Sequence, residues 1–184
     1  AADLAMRRGD WGRAEERLAR AASRYPDRAP WRAELQRARL LSTHLGRGEE
    51  AEGILYRLVR GGETAAVPAG KQYVRHLLAR GRLDDAAREL SRLEGRHLRA
   101  EDKAETAYLR GALELERGAW DEARNHWGRA AADQPLAPFG MEAQLEVALN
   151  WAARGEPRFA LRALDRLYAA CRRNLRQRAG SAAA

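Results

Sequence analysis

The stretch GDWGRA at residues 9–14 recurs as GAWDEA at residues 118–123, and three related stretches share its pattern. These are GRGEEA at 46–51, GRLDDA at 81–86 and GEPRFA at 155–160. The five copies begin at glycines separated by 37, 35, 37 and 37 residues. A nearly fixed period of this length is typical of an array of small structural repeats, in which each repeat buries its apolar face on its neighbours.

Each copy continues as an amphipathic helix. Five residues after each glycine comes alanine, four residues later a large apolar side chain, and three residues later another apolar one. The three sets are Ala14, Ala51, Ala86, Ala123 and Ala160; Leu18, Leu55, Leu90, Trp127 and Leu164; and Ala21, Leu58, Leu93, Ala130 and Leu167. Offsets of 0, 4 and 7 lie on one helical face. The constant alanine predicts a close approach between two helices.

The segments before the glycines also have helical patterns, for example 31–45, 71–80, 101–117 and 141–154. Each repeat is therefore predicted as helix, turn and helix. The glycine suits a left-handed helix terminus, and Pro26 and Pro135 would end two of the second helices. The stretch GGETAAVPAG, residues 61–70, is expected to be the one long turn.

These features resemble the tetratricopeptide repeat family, most clearly in GDWGRAEERLARAASRYPD and GAWDEARNHWGRAAADQP. The resemblance implies an all-α, right-handed superhelical solenoid of about five helix-turn-helix repeats. We expect one array over residues 1–179, with repeats at 1–28, 29–63, 64–98, 99–136 and 137–179 and a flexible tail at 180–184. Gly111 and Ala148 hold the small-residue position of the family's helix crossing, whereas Arg39 and Val74 replace it and suggest irregular packing there.

In this family the first helices of the repeats line a concave groove that receives a peptide or a helix of a partner. Matching positions give a predicted lining of Gln36, Leu40, Thr43, His44, Lys71, Arg75, Leu78, Tyr108, Ala112, Leu115, Leu145 and Leu149. The N-terminal part is polar and basic and the C-terminal part apolar, which suits a segment with an acidic end and a hydrophobic end. A shift of the register by one residue would make the leucines ordinary core residues.

Lys71 and Arg75 are one helical turn apart and could hold one carboxylate together. They resemble part of the clamp with which some family members grip the C-terminal carboxylate of a chaperone. Leu40 occupies a position where that clamp has an amide, so the full clamp is not expected. A solvated basic face is the competing interpretation.

The C-terminal segment is the most basic part of the chain, with seven arginines and one aspartate in residues 158–178, a net charge of +6 out of +8. It predicts one amphipathic helix whose apolar stripe contains Leu164, Leu167, Tyr168 and Cys171, with the cysteine a small buried hydrophobe. The basic residues are Arg158, Arg162, Arg166, Arg172, Arg173 and Arg176. They could bind nucleic acid, an acidic membrane or an acidic protein, or they could form a polar cap at the end of the array. No aromatic residues alternate with these arginines, which disfavours binding of single-stranded nucleic acid.

Enzyme chemistry is not indicated. The four histidines are scattered, so no metal site or cofactor is predicted; His126 is expected to lie between two repeats. The glycines fall at repeat turns, and no phosphate-binding loop is present. The acidic pairs Glu15–Glu16, Glu49–Glu50 and Asp84–Asp85 are expected to begin second helices, where the helix dipole favours them.

We therefore expect a protein-interaction scaffold or adaptor. The alternatives are a regulatory repeat region of a larger bacterial regulator or secretion protein, and an acidic-surface or nucleic-acid binder through the C-terminal helix. Thirty-two arginines against two lysines are typical of a GC-rich bacterial genome. The single cysteine favours the cytoplasm over the periplasm. Both chain ends look cut from a longer protein or sealed by self-association, and no targeting or transmembrane segment is evident.

Overall fold

The computed structural model describes residues 2–24 and 30–181, with side chains as far as residue 176. Ten α-helices and no strand occupy this part of the chain. They are α1 (Ala2–Arg7), α2 (Trp11–Arg24), α3 (Pro30–Thr43), α4 (Gly48–Arg60), α5 (Glu63–Ala79), α6 (Leu83–Glu94), α7 (Ala100–Glu116), α8 (Trp120–Asp133), α9 (Pro138–Ala153) and α10 (Pro157–Ser181). The predicted stop at Pro26 lies outside the described residues, as do residues 182–184. Helix α10 includes the first two residues of the predicted tail.

The five repeat glycines end the first helices in a left-handed conformation, as the sequence predicts. Their φ angles lie between 65° and 77°, a region that costs glycine little because it has no Cβ. After Gly81 the Arg82 amide donates to the Leu77 carbonyl at 2.9 Å, and after Gly118 the Ala119 amide donates to the Glu114 carbonyl at 2.8 Å. Both bonds span five residues, which is the Schellman arrangement and satisfies carbonyls that the helix end leaves open.

The face predicted for the second helices is buried in the middle of the chain but not throughout. All five alanines are buried, at 8% exposure or less, and Trp127 is only 2% exposed. By contrast Ala21 is exposed, Leu167 is half-buried and Leu164 is 40% exposed, so the prediction is wrong for these residues. The physical reason for Leu164 is that α9 is the one described helix that packs against α10.

Gly111 shows why a first helix needs a small residue where it crosses the second. A Cβ at Gly111 would lie 2.4 Å from Nε1 of Trp127, well inside contact distance. The Trp127 indole donates from Nε1 to the Tyr108 carbonyl at 3.1 Å, so the Nε1 edge of the ring meets α7 next to Gly111. Arg39 stands at the matching position of α3 and is exposed, and the fully buried residue there is the adjacent Ala38.

The stretch 61–70 is not a turn, contrary to expectation. Helix α5 begins at Glu63 and runs through Pro68, and only Gly61 and Gly62 separate it from α4. Proline disfavours a helix interior because it lacks an amide proton and crowds the preceding turn. Burial of the small residues Ala65, Ala66, Ala69 and Gly70 on this helix supplies the stabilisation that outweighs the cost.

The chain divides into two compact units, Ala1–Glu89 and Leu90–Ala184, here called the N-terminal and C-terminal units. In the N-terminal unit each of α2 to α5 packs on the helix before it, and α3 also packs on α5. In the C-terminal unit α8 packs on α7, α9 on α8 and α10 on α9, and α7 also contacts α9. Contact between successive first helices is the geometry that can line a groove.

Acidic residues begin some second helices as predicted. Glu49 and Glu50 lie in the first turn of α4, and Asp84 and Asp85 in that of α6. Glu15–Glu16 do not, because α2 begins earlier, at Trp11, and has no acidic residue in its first turn. Arginines nearby pair with these acids, as in the Arg47–Glu50 contact of 2.5 Å between Nε and Oε1.

Candidate protein-interaction surface

In the N-terminal unit the predicted groove residues do not form one open face. Leu40 is 3% exposed and packs in a core cluster with Ala5, Ala14 and Leu18, so its assignment as a groove residue is wrong. Its position on α3 turns toward α2, where apolar burial is available. Gln36 is exposed on the same helix.

His44 is exposed but not isolated. Its imidazole stacks on the Trp11 indole with ring centroids 3.8 Å apart and the planes 6° from parallel. Lys71 and Arg75 share one face of α5 and are half-buried, and each already interacts with another group. The structure therefore places these two cations side by side, and their carboxylate-binding role remains a prediction.

In the C-terminal unit Tyr108 and Leu115 lie on α7 and are half-buried. Both pack against the core cluster of Ala123, Trp127, Ala130 and Ala143. The Tyr108 ring also meets that of Phe139, at the start of α9, with centroids 5.8 Å apart. These two residues are partly structural, so substituting them would disturb the core as well as the surface.

Leu145 and Leu149 make the clearest exposed apolar surface among the predicted residues. They are one turn apart on α9 and are 44% and 53% exposed. The opposite face of α9 is also apolar, since Gly140, Ala143 and Ala148 are buried. A helix apolar on both faces is usually covered on both. The only charged residues of α9 are Glu142 and Glu146.

A polar and aromatic network holds α9 in place. The Arg124 guanidinium donates from Nη1 to Oδ1 of Asn150 at 3.0 Å and lies 3.7 Å above the Trp151 ring. Asn150 is buried and donates from Nδ2 to the Trp120 carbonyl at 3.3 Å. Trp151 also stacks with Phe159 of α10 at 4.7 Å between centroids. This network therefore fixes the position of α9, on which the exposed leucines lie.

Helix α10 carries the predicted arginines on its surface. All six, Arg158, Arg162, Arg166, Arg172, Arg173 and Arg176, are exposed. The apolar stripe beside them is not covered either, because Tyr168 is 66% exposed and Cys171 only half-buried. The expectation of a buried cysteine in a packed stripe is therefore wrong, and the stripe is a surface feature.

Sequence reasoning missed two members of that stripe. Leu161 and Leu175 are 61% and 68% exposed. With Leu164, Tyr168 and Cys171 they follow spacings of 3, 4, 3 and 4, the heptad pattern of helices that pair along a narrow seam. This spacing was the signal that could have identified them from the sequence.

Other kinds of site are not found in the described part of the chain. It contains no cluster of three or more His, Cys, Asp or Glu side chains able to hold a metal ion. None of its helices is both long and apolar enough to cross a membrane.

Solved structures of tetratricopeptide-like repeat proteins share this fold. One is a Podosopora anserina protein assigned as a kinesin light chain with nearly identical TPR-like repeats, at a TM-score of 0.70 and 18% identity over 95% of this chain and 93% of that one. MamA from Desulfovibrio magneticus RS-1 matches at 0.65 and 15% identity, over 93% and 91%. BtubC from P. vanneervenii matches at 0.68 and 18%, over 91% and 75%. No protein-family model and no curated protein sequence matches the chain.

The chain therefore has the all-α fold of tetratricopeptide-like repeat solenoids, and the resemblance read from its glycine-based repeat is confirmed. This likeness establishes the fold, and the function has to be argued from the surface of the chain itself.

Proposed function

We propose that the protein is a non-enzymatic interaction scaffold that binds a peptide or helix of a partner on the α7–α9 side of its C-terminal unit. The observation that supports this most is the pair Leu145 and Leu149, about half exposed on a helix whose other face is already packed. Exposed leucines in such a pair lose unfavourable hydration when a partner covers them.

The chemistry of α9 also indicates what the partner segment carries. Glu142 and Glu146 lie beside the exposed leucines, and α9 has no basic residue to balance them. A segment with apolar side chains and flanking lysines or arginines complements this surface in both respects. The acidic end that Lys71 and Arg75 would receive is a separate prediction for the N-terminal unit.

A random-peptide display selection followed by titration of one selected peptide tests this function. The variant Leu145→Glu/Leu149→Glu should weaken binding about 100-fold or more, as expected when central apolar contacts are lost. Leu136→Glu is the matched control, because Leu136 is 39% exposed but lies before α9. The proposal would be contradicted if the selection enriched no peptide relative to a selection on an unrelated helical repeat protein. It would also be contradicted if the double variant bound the selected peptide as tightly as the wild type.

Helix α10 supports a second candidate function, binding of an acidic amphipathic helix. Its exposed seam of Leu161, Leu164, Tyr168 and Leu175 is apolar and narrow, and the exposed arginines beside it favour an acidic partner. The charge of +6 on residues 158–178 opposes pairing with a second copy of the same helix. An apolar seam is better matched to a protein helix than to nucleic acid, which would need stacking side chains.

A designed acidic heptad peptide and a single-stranded oligonucleotide of equal charge distinguish these partners. We expect the peptide to bind the protein and Leu164→Glu/Tyr168→Glu to abolish that binding at high as well as low salt. Binding of the oligonucleotide alone, with a steep loss of affinity as salt rises, would instead show that the arginines serve nucleic acid.

A further inference from the structure

A basic cleft lies in the C-terminal unit, separate from the exposed leucines of α9. It has a volume of about 540 Å³ and is formed by the end of α6, the loop that follows, α7 and α8. Its cationic side chains are Arg96, Lys103, Arg110 and Arg129, and its acids are Glu94 and Glu114. We call it the His126 cleft, because that histidine also lines it.

The two acids of the cleft are already matched. Glu94 binds Arg110 through two bonds, from Nη2 to Oε2 at 2.7 Å and from Nε to Oε1 at 3.1 Å. Glu114 pairs with Arg117, with Nη1 and Oε1 3.4 Å apart. Such pairing cancels charge and fixes the direction of the Arg110 side chain, which is only 12% exposed.

Three cations of the cleft lack this balance. Within residues 2–24 and 30–181 no carboxylate makes an ion pair with Arg96, Lys103 or Arg129. The cleft thus carries about three uncompensated positive charges on one concave surface. A concave basic surface concentrates the field and attracts anions more than a flat one does.

The half-buried imidazole of His126 is affected by this surplus. Burial lowers the pKa of His126, and the nearby Arg129 and then Arg110 guanidinium groups lower it further, while Glu114 and Glu94 oppose them more weakly. Like charges can act in this way only when they lie close to the imidazole. His126 is therefore neutral near pH 7 and available to hydrogen-bond a ligand.

We propose that the His126 cleft is a binding site for a small phosphate-type dianion. Arg129, Lys103 and Arg96 supply the charge, Arg110 presents a guanidinium held in place by Glu94, and His126 contributes a hydrogen bond. Guanidinium and ammonium groups are the usual recognition elements for phosphate oxygens. The site is independent of the proposed peptide-binding surface.

Proton NMR titration of the histidines of the intact protein, in inorganic phosphate and in chloride of equal ionic strength, tests the proposal. Bound phosphate, as the monoanion or the dianion, stabilises the imidazolium, so phosphate should raise the pKa of His126 in a saturable manner. The exposed His44, in the N-terminal unit, is the internal control. Its proton signals should be the same in phosphate as in chloride of equal ionic strength.

Variants link the response to the cleft. Arg129→Gln and Lys103→Gln, both at exposed side chains, should each weaken phosphate binding about tenfold, the effect of losing one charged hydrogen bond. Arg129→Gln should in addition raise the pKa of His126 without phosphate, because it removes a like charge. Arg158→Gln, on α10, is the matched control.

A phosphate response of His126 no larger than that of His44, or a response of His126 that is unchanged in both Arg129→Gln and Lys103→Gln, would overturn the assignment. Loss of peptide binding in Leu145→Glu/Leu149→Glu with phosphate binding intact would confirm that the two sites are separate.

Discussion

At the scale of single residues, Gly111 permits a close contact between α7 and α8. The Trp127 ring occupies the space where a Cβ would stand, and the indole Nε1 then reaches the Tyr108 carbonyl. Trp127 is among the largest fully buried side chains. The residue that decides this packing is thus the one without a side chain.

We expect Gly111→Ala to lower the free energy of unfolding by about 1–3 kcal/mol, because the buried indole must shift to accept the methyl group. Gly128→Ala is the control, since a Cβ there meets nothing within 4 Å and alanine is the better helix former. That variant should gain about 0.5–1 kcal/mol. Urea unfolding measures both, and equal stability of the two variants would contradict the close approach.

His76 makes stability depend on pH. Burial lowers its pKa, the Glu52 carboxylate opposes this, and Arg80 and Arg82 add to the lowering. As pH falls through about 6.5 the unfolded chain takes up a proton that the folded chain does not. The contribution of neutral His76 is therefore complete above that pH and is lost as pH falls toward the folded-state pKa. His126 acts in the same direction.

We expect the free energy of unfolding to decrease between about pH 7.5 and pH 5.5, by at most about 1.4 kcal/mol per pH unit for each proton. The carboxyl groups whose pKa values are lowered, such as those of Glu52 and Asp85, change the free energy of unfolding only at lower pH. His76→Gln should have a shallower dependence in urea titrations across this range. A slope identical to that of the wild type would show that His76 does not cause it.

At the scale of elements, each turn depends on local backbone chemistry and each helix on its neighbours. The glycine turns form as the sequence predicts, because a left-handed residue followed by a five-residue amide-to-carbonyl bond is a local arrangement. Helix α5 is different, because a proline lies inside it. Its small residues are buried, and this tertiary packing overrides the local preference of GGETAAVPAG.

We expect Pro68→Ala to stabilise the protein by about 1–3 kcal/mol, because it restores an amide proton and removes a steric conflict inside α5. Pro138→Ala is the matched control. Pro138 is the first residue of α9, where a missing amide proton costs little, so no gain is expected. Thermal or urea unfolding would decide, and a loss of stability in Pro68→Ala would mean that the ring packs in a way alanine cannot replace.

At the scale of the molecule, stability is expected to be uneven. Arrays of this kind behave as linked neighbours, and each helix is held only by those adjacent to it. In the C-terminal unit α7 and α8 contain the fully buried Leu113 and Trp127, whereas α10 exposes most of its apolar stripe. In the N-terminal unit α1 packs on α2 and has only Ala5 buried.

Hydrogen exchange should reveal this difference. We expect amides of α7 and α8 to exchange at least about tenfold more slowly than those of α10, and amides of α3 more slowly than those of α1, because helices with few buried contacts open locally. Mass spectrometry of the exchanged protein gives the comparison helix by helix. Equal protection of all helices would indicate a single cooperative unit, contrary to the expectation.

The sequence by itself determined the repeat, the helical fold, the five glycine turns within the repeats and the small residue at the Gly111 crossing. These depend on interactions within a few residues or on a period that one chain displays directly. It also identified Leu145 and Leu149 as surface residues, although it placed Leu40 with them.

Tertiary structure alone decided which of the similar helix faces are covered. Leu40 and Leu149 have the same chemistry, yet one packs against α2 and the other meets solvent. It likewise brought Arg96, Lys103 and Arg129 to one cleft around His126 from a loop and two helices. The physical reason is that burial and charge proximity depend on neighbours distant in the chain, and periodicity carries no information about those neighbours.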